Sequence, residues 1–545
     1  MFIRYFLCLI LLSPYYADAG REPQTCLQLG VNLNSVDYYS SEAPFVDLMK
    51  MSSGWIRPWG SKDEKEPIPQ DENGNPLSIA PSTSLINVIH DDLWGRPPEE
   101  NRYILTWQGD GTVVPSAGST KVISSRSNQV TFDMLKPGRI WLEMKRTSAV
   151  NPVKNVQLKA VLANGQPMAG EFRTPILDNW NKMRILRFMD WGKTNNSPLV
   201  EWVDRAKPGD VTQSTSKGVA YEYMIDLANK ARSNPWVNVP HAASDDYVRH
   251  MARKFRDELN PELTVYVEYT NEAWNGQFQQ FHYLDELGKK NNLAFYQAYT
   301  ERALQINDIW KKEFGRTSKM KFILAGQFGN PWITEQILKY KSAGKRVDGF
   351  AVGYYIGWDI GTSQNYSWLL KASPKDVINL MKDQSIPDAR KLLAANADEV
   401  RKYGLPLMAY EAGQHLVAVG TDPTGKALNN NQQISDLLIA TNRDPGMADV
   451  YRLLLEDWQR AGGREMLLFS STTIPTKWGS WGLKENEAQA MTSAHKLRSI
   501  YQFCGWLDQD DSASKNVTKP KSAPPVDTKK PSDAPPINKI KPWTS

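Results

Sequence analysis

The chain has few of the residues that build metal and redox sites. Only three cysteines and six histidines occur among its 545 residues. No paired-cysteine spacing and no His-Glu-x-x-His motif is present, so the sequence gives little support for a zinc site. A Gly-x-Ser-x-Gly elbow and a glycine-rich phosphate-binding turn are also absent. We therefore expect neither a metal nor an organic cofactor.

Long apolar runs are also lacking, and the one run near the start is too short to span a bilayer. Residues 1–20 contain Arg4, then the apolar run Phe6–Leu12, then the small residues around Ala17–Gly20. A basic start, a short apolar centre and a small-residue end are typical of a secretory signal peptide. We expect an exported, soluble mature protein, secreted or periplasmic, with a retained membrane anchor as the alternative.

The expected folded region lacks net charge. The chain carries a formal charge of +5, but residues 512–545 hold seven lysines and two aspartates, and residues 1–20 hold one arginine and one aspartate. Residues 21–511 are therefore neutral overall, and a neutral fold with 10% aromatic residues suits a neutral ligand better than a nucleic acid. Residues 511–545 are rich in Ser, Lys and Pro, which predicts a disordered tail.

Short strands separated by Gly, Ser and Pro occupy residues 62–172. The predicted strands are Arg102–Trp107, Thr120–Ser124, Gln129–Phe132, Arg139–Met144 and Val153–Leu162. Strands of this length, with turn residues between them, predict an all-β insertion of sandwich type.

Strands and helices alternate in the rest of the folded region, residues 21–61 and 173–510. Eight strands are predicted, near 28–33, 183–189, 236–241, 264–270, 321–325, 349–354, 407–410 and 466–470, with helices near 220–231, 247–259, 277–313, 332–344, 374–402, 446–461 and 486–503. Eight is the number that closes a (β/α)8 TIM barrel, whose reactive groups lie at the carboxyl ends of the strands. A doubly wound open sheet is the competing architecture.

Two cysteines remain after the predicted signal peptide, Cys26 and Cys504. The first strand and the last helix of a closed barrel are neighbours, so an oxidising compartment could join this pair as a disulfide. Two separate buried thiols are the alternative.

Two of the predicted barrel strands end in a glutamate. The strand that begins at Thr264 leads to Asn271-Glu272, and the strand that begins at Leu405 leads to Glu411. Hydrolysis of a glycosidic bond with retention needs one carboxyl group to protonate the leaving oxygen and another to attack the anomeric carbon. The pair therefore predicts sugar chemistry, with Glu272 as acid/base and Glu411 as nucleophile.

Other strand ends supply groups that this chemistry uses. Arg187 would hold Glu411 ionised, Tyr355 could donate to the same carboxylate, and Asn271 could bond the sugar 2-hydroxyl. Flat faces for a sugar ring are offered by Trp191, Trp274 and Trp481. Taken singly each has a plainer interpretation, because His241 suits a structural histidine and any one tryptophan suits the core.

The order of these residues resembles that of the clan A glycoside hydrolases, which are retaining (β/α)8 barrels. In that clan an Asn-Glu pair after strand four supplies the acid/base, and a glutamate at the end of strand seven is the nucleophile. The resemblance covers about residues 27–506 and implies supporting roles for Arg187, His241 and Tyr355. It also implies a stacking role for Trp481, with Trp478 as the rival.

Three short segments resemble a narrower group of secreted proteins labelled cellulose-binding. These are Arg-Phe-Met-Asp-Trp at 187–191, Tyr-Thr-Asn-Glu-Ala-Trp-Asn at 269–275 and Gly-Ser-Trp-Gly-Leu at 479–483. The resemblance implies a β-glucan or a related polysaccharide as partner. The sequence as a whole predicts a secreted retaining glycoside hydrolase. The alternatives are a non-catalytic carbohydrate-binding protein on a barrel, and an adhesin that binds through the β insertion.

Overall fold

The computed structural model describes residues 27–80, 83–96 and 100–507. The predicted signal peptide, Cys26 and the predicted C-terminal tail lie outside the described residues. Within the described ranges, every helix is too short or too polar to cross a membrane.

The described residues form fifteen strands. After β1 (Leu29–Asn32) come β2 (Leu85–His90), β3 (Arg102–Gln108), β4 (Gly111–Pro115), β5 (Thr120–Arg126), β6 (Gln129–Met134), β7 (Arg139–Thr147) and β8 (Lys154–Ala160). The remaining strands are β9 (Ile185–Arg187), β10 (Asn234–Val239), β11 (Val265–Tyr269), β12 (Met320–Gly326), β13 (Gly349–Ile356), β14 (Leu407–Gln414) and β15 (Met466–Phe469).

Eight of these strands close a parallel barrel in the order β1-β15-β14-β13-β12-β11-β10-β9. The closing pair sets Val31 beside Leu468. Buried side chains fill the barrel, among them Ile185, Trp236, Tyr266, Ile323, Met408 and Leu467. The interior is thus a packed core and not a pore. The predicted (β/α)8 fold is confirmed.

Twelve α-helices are found in the described part of the chain. They are α1 (Thr174–Asn179), α2 (Tyr221–Ala231), α3 (Asp245–Glu258), α4 (Gln279–Lys290), α5 (Phe295–Phe314), α6 (Pro331–Lys339), α7 (Tyr366–Leu369), α8 (Pro374–Leu380), α9 (Ile386–Arg401), α10 (Gln432–Arg443), α11 (Met447–Arg460) and α12 (His495–Phe503).

Several helix predictions need correction. The segments predicted over 277–313 and 374–402 are each two helices, the second divided by a π-helical turn at Met381–Ser385. The last helix begins at His495 and not at 486. Helix α10 was missed, although Ile434, Leu437, Leu438 and Thr441 have the spacing of a buried helical face.

The strands between β1 and β9 form two antiparallel sheets, in the orders β2-β7-β4 and β5-β6-β3-β8. Alternate residues of β3 are buried, namely Tyr103, Leu105 and Trp107, as expected for sheets that cover a core. An all-β insertion after the first barrel strand is therefore present. Strand β8 is tied to the segment after β1, because the Leu158 N–H donates to Asp47 Oδ1 at 3.0 Å. The boundaries 62 and 172 stay predictions.

Cys504 follows α12 and is disulfide-bonded. Its predicted partner, Cys26, lies outside the described residues, so the Cys26–Cys504 pairing stays a prediction.

Candidate active site

Arg187 joins the carboxyl ends of several barrel strands. It ends β9, is fully buried, and its Nη1 donates to Asn32 Oδ1 and to Glu411 Oε1, both at 2.8 Å. Its Nη2 donates to Glu268 Oε2 at 2.8 Å and to Asn271 Oδ1 at 2.9 Å. The guanidinium therefore fixes side chains from β1, β11, the loop after β11, and β14 in one arrangement.

Glu268 is a member of this arrangement that the sequence reasoning missed. It is fully buried in β11, and besides Arg187 it accepts from Trp236 Nε1 at 2.8 Å. Burial works against the charge of Arg187, but the carboxylates of Glu268 and Glu411 outweigh it and raise the pKa of the guanidinium. The signal in the sequence was a glutamate inside a strand that is otherwise fully buried, where charges occur only with partners.

Glu411 accepts hydrogen bonds on both oxygens. Besides the bond from Arg187, Tyr355 donates its hydroxyl to Glu411 Oε2 at 2.8 Å. Glu411 is 5% exposed. A charged donor and a phenol on opposite oxygens orient a carboxylate and stabilise its negative charge. The preceding Tyr354 has no such contact, since its ring packs against Phe328 and Trp458.

A bulge in β14 brings two consecutive side chains to this site. Ala409 pairs with Val352 and Glu411 with Gly353, so Tyr410 has no counterpart on β13. An extra residue of this kind breaks the strict alternation of a strand. Accordingly Glu411 reaches Arg187, while the hydroxyl of Tyr410 donates to Glu272 Oε1 at 3.3 Å.

Glu272 lies just after β11 in a different environment. Its backbone has φ of +39°, a left-handed conformation that is uncommon for glutamate and concentrated at functional sites. Its partners are uncharged, with Asn275 Nδ2 donating to Oε2 at 2.8 Å in addition to Tyr410. Burial, reinforced by the negative charge of Glu411, raises the pKa of Glu272 to about 8. The protonated form of Glu272 is therefore favoured at neutral pH.

Asn271 is held by neighbours that the sequence reasoning did not identify. Its Nδ2 donates to Asn195 Oδ1 at 3.0 Å, and Gln280 donates both to that same oxygen and to the Asn271 carbonyl. With Arg187 on its Oδ1, the amide is oriented from both ends. A bond from Asn271 to a sugar hydroxyl stays a prediction.

Asp190 adds a fourth carboxyl group, after Glu268, Glu272 and Glu411, beside the site. It lies in the turn after β9 and is only partly exposed. Burial raises the pKa of Asp190 to about 6, the charge of Lys193 opposes this shift, and the charge of Glu411 adds to it. Lys193 itself donates to Asp37 Oδ2 at 2.9 Å, so the turns after β1 and β9 are joined by an ion pair.

The tryptophans that were predicted to stack on a sugar differ in their exposure to solvent. The prediction for Trp191 is wrong, because Trp191 is 1% exposed and packs against Phe45 and Phe188, where it offers no face to a ligand. Trp274 is partly exposed in the loop after β11, and Trp478 is 45% exposed in the segment after β15.

Trp481 lies beside Tyr355, the phenol that donates to Glu411. Its ring centroid is 5.8 Å from that of Tyr355 and 5.0 Å from that of His415, and its Nε1 donates to the Trp478 carbonyl. The carbonyl of Ser480 just before it accepts from the buried Lys496 at 2.8 Å. Trp481 is therefore held at the site from several sides.

His241 follows β10 and is 7% exposed. Its ring meets Tyr283 edge to face at 5.3 Å, and burial lowers its pKa. In the described part of the chain, no hydrogen bond or ion pair links its side chain to either glutamate. A supporting role for His241 stays a prediction.

Fold and contacts together define a closed (β/α)8 barrel with two glutamates at the carboxyl ends of its strands. One glutamate is held by a guanidinium and a phenol, and burial beside the first glutamate raises the pKa of the other.

No protein-family model and no curated protein matches the chain in sequence. Similar solved structures include a 4-O-alpha-L-rhamnosyl-beta-D-glucuronidase from Fusarium oxysporum, with 12% identity over 60% of this chain and 63% of that chain and a TM-score of 0.36. A GH5-4 broad specificity endoglucanase from Clostridium acetobutylicum has 10% identity over 61% and 90%, with a TM-score of 0.36. A GH5 xyloglucanase from Bacteroides ovatus has 8% identity over 78% and 96%, with a TM-score of 0.32.

Proposed function

We propose that this protein is a retaining glycoside hydrolase that cleaves a β-linked polysaccharide, with Glu411 as nucleophile and Glu272 as acid/base. The observation that carries the proposal is the contrast between the two carboxyl groups. Glu411 accepts from Arg187 and Tyr355, whereas Glu272 has only uncharged partners and a pKa of about 8. Retaining hydrolysis needs one ionised and one protonated carboxyl group at the same moment.

In the first step, a Glu411 oxygen attacks the anomeric carbon while Glu272 gives its proton to the departing glycosidic oxygen. The bond between the anomeric carbon and that oxygen breaks, and a glycosyl ester of Glu411 forms. Arg187 and Tyr355 orient the attacking carboxylate through their hydrogen bonds. Glu272 ends this step as a carboxylate.

In the second step, Glu272 removes a proton from water, and the resulting oxygen attacks the anomeric carbon. The ester bond breaks, Glu411 leaves as a carboxylate, and Glu272 is protonated again. Asn275 and Tyr410 donate to Glu272 and stabilise its transient negative charge.

The predicted signal peptide supports a substrate outside the cytoplasm, and the exposed aromatic Trp478 beside Trp481 supports a sugar chain as partner. We propose β-glucan, cellulose-like chains or hemicellulose as the substrate class.

Hydrolysis of β-glucans, mannans and xylans by the full chain tests the proposal, with Glu272→Gln and Glu411→Gln beside wild type. Each substitution is expected to lower kcat by at least about 100-fold. Glu262→Gln, at an exposed position, is the matched control and should retain full activity. NMR of the first product should show the β-anomer. Equal activity in all variants would overturn catalysis by this pair.

A further inference from the structure

A cavity of about 430 Å³ lies between the β insertion and the barrel loops. Its walls include Asp47 and Lys50 from the segment after β1, Asn75, and residues of the neighbouring strands β3 and β8. The volume lies within the roughly 300–1,000 Å³ of small-molecule sites. None of the side chains assigned to catalysis lines it.

The walls are fixed by hydrogen bonds to two aspartates. Asp71 accepts from the backbone N–H groups of Asn73 and Asn75 and from Asn75 Nδ2, which holds the turn at one side of the cavity. Asp47 accepts from Leu158 N at 3.0 Å, which fixes β8 at the other side. These hydrogen bonds therefore fix the shape of the cavity between the β insertion and the barrel loops.

Carboxamides dominate its polar lining, namely Asn75, Gln108, Asn155 and Gln157. Asn155 Nδ2 donates to Gln108 Oε1 at 2.7 Å, so two of these side chains orient one another across β8 and β3. A carboxamide both donates and accepts hydrogen bonds. The same is true of every hydroxyl group of a sugar, so this lining complements a polyhydroxylated ligand.

The two charged residues of the wall, Asp47 and Lys50, already have partners within the protein. Lys50 Nζ donates to the carbonyls of Pro208 and Asp210, both at 2.8 Å. The carboxylate of Asp47 accepts from Met49 N and Leu158 N, and the two residues are opposite in sign. The cavity therefore suits a neutral ligand.

Trp107 adds an aromatic residue to the wall of the cavity. It lines the cavity, is 8% exposed, and its Nε1 has no hydrogen-bond partner among the described residues. Indole rings are surfaces on which sugars pack.

We propose that this cavity is a second carbohydrate-binding site, which takes residues of a neutral polysaccharide and anchors the chain independently of Glu272 and Glu411. Gln108 and Gln157 are exposed and lie outside the catalytic machinery, so they can be changed without disturbing either core.

The test uses the full chain with Glu411→Gln, so that no substrate is consumed. Native gels containing hydroxyethylcellulose, barley β-glucan, galactomannan or the acidic polygalacturonate give dissociation constants from retardation. Gln108→Ala with Gln157→Ala should raise the constant for at least one neutral polymer about fivefold or more. Asn151→Ala with Gln166→Ala, two exposed carboxamides of the same insertion, should leave it unchanged.

Equal retardation of parent and cavity variant overturns the proposal, as does failure of the parent to bind any neutral polymer. Cavity-dependent binding of polygalacturonate alone overturns the neutral class. A separate assay tests the catalytic proposal: it measures hydrolysis of a short aryl glycoside by the protein that retains Glu411. Cavity-dependent binding without any hydrolysis supports the second site while disproving catalysis.

Discussion

Arg187 and Glu268 form an ion pair in which neither side chain has any exposed surface, with Nη2 and Oε2 2.8 Å apart. Removing two charges from water costs several kcal/mol per ion, so such a pair is seldom retained for stability alone. Here its guanidinium also holds Glu411 and Asn271. We therefore interpret the ion pair as the structural element that positions the side chains of Glu411 and Asn271.

Glu268→Gln should destabilise the protein by roughly 3–5 kcal/mol, because it leaves part of the buried charge of Arg187 uncompensated. Urea unfolding followed by tryptophan fluorescence measures the loss. Asp398→Asn is the control, since Asp398 and its partner Arg401 are both 66% exposed. That substitution should cost at most about 1 kcal/mol. Similar losses in the two variants would contradict the structural role of Glu268.

Tyr355→Phe should lower kcat by roughly 10- to 100-fold with little change in KM. It removes a hydrogen bond to a charged group, worth about 1.5–3 kcal/mol. Tyr354→Phe is the matched control, because the Tyr354 hydroxyl has no hydrogen-bond partner among the described residues. Steady-state kinetics should show wild-type activity for Tyr354→Phe. The reverse ranking would show that Tyr355 is not the supporting tyrosine.

The activity should fall as the pH rises through about 8, where Glu272 loses its proton. Asn275→Ala removes a donor that favours the ionised form, so the pKa of Glu272 should rise further. The alkaline limb of the profile of kcat/KM against pH should therefore move to higher pH. A limb that stays in place or moves to lower pH would show that Asn275 does not control this proton.

Glu272→Gln should make stability less sensitive to pH. In the wild type the folded state keeps a proton that the unfolded state releases between the ordinary glutamate pKa and about 8. Wild-type stability is therefore lost as the pH rises through that window, and the neutral glutamine avoids this loss. Urea midpoints measured at about pH 5 and about pH 8.5 should show a gain for the variant that is larger at the higher pH. An equal difference at both values would contradict the raised pKa.

The sequence predicted the barrel and the ends of its strands because both depend on local patterns. Apolar runs followed by polar residues indicated Arg187, Glu272 and Glu411. In the structure Arg187 donates to Glu411, and Glu272, which accepts from Tyr410, lies at the same end of the barrel. Asn195 was not predicted, since the residue it contacts, Asn271, lies 76 positions further along the chain in a different loop.

Side-chain direction was the information that local patterns could not supply. Trp191 follows a strand end, as a platform would, but it turns into the core. The bulge at Tyr410 shifts the register between β13 and β14, so alternation along the sequence does not tell which residues reach the site.

Pairing of β1 with β15 means that the barrel closes across almost the whole length of the chain. During synthesis from the N-terminus, β1 is made long before β15. The edge of β1 that pairs with β15 therefore has no partner strand until the last strand is complete. A chain truncated before Met466 would keep a sheet with two bare edges, which is a template for aggregation. Production of soluble protein therefore depends on completing translation beyond Phe469.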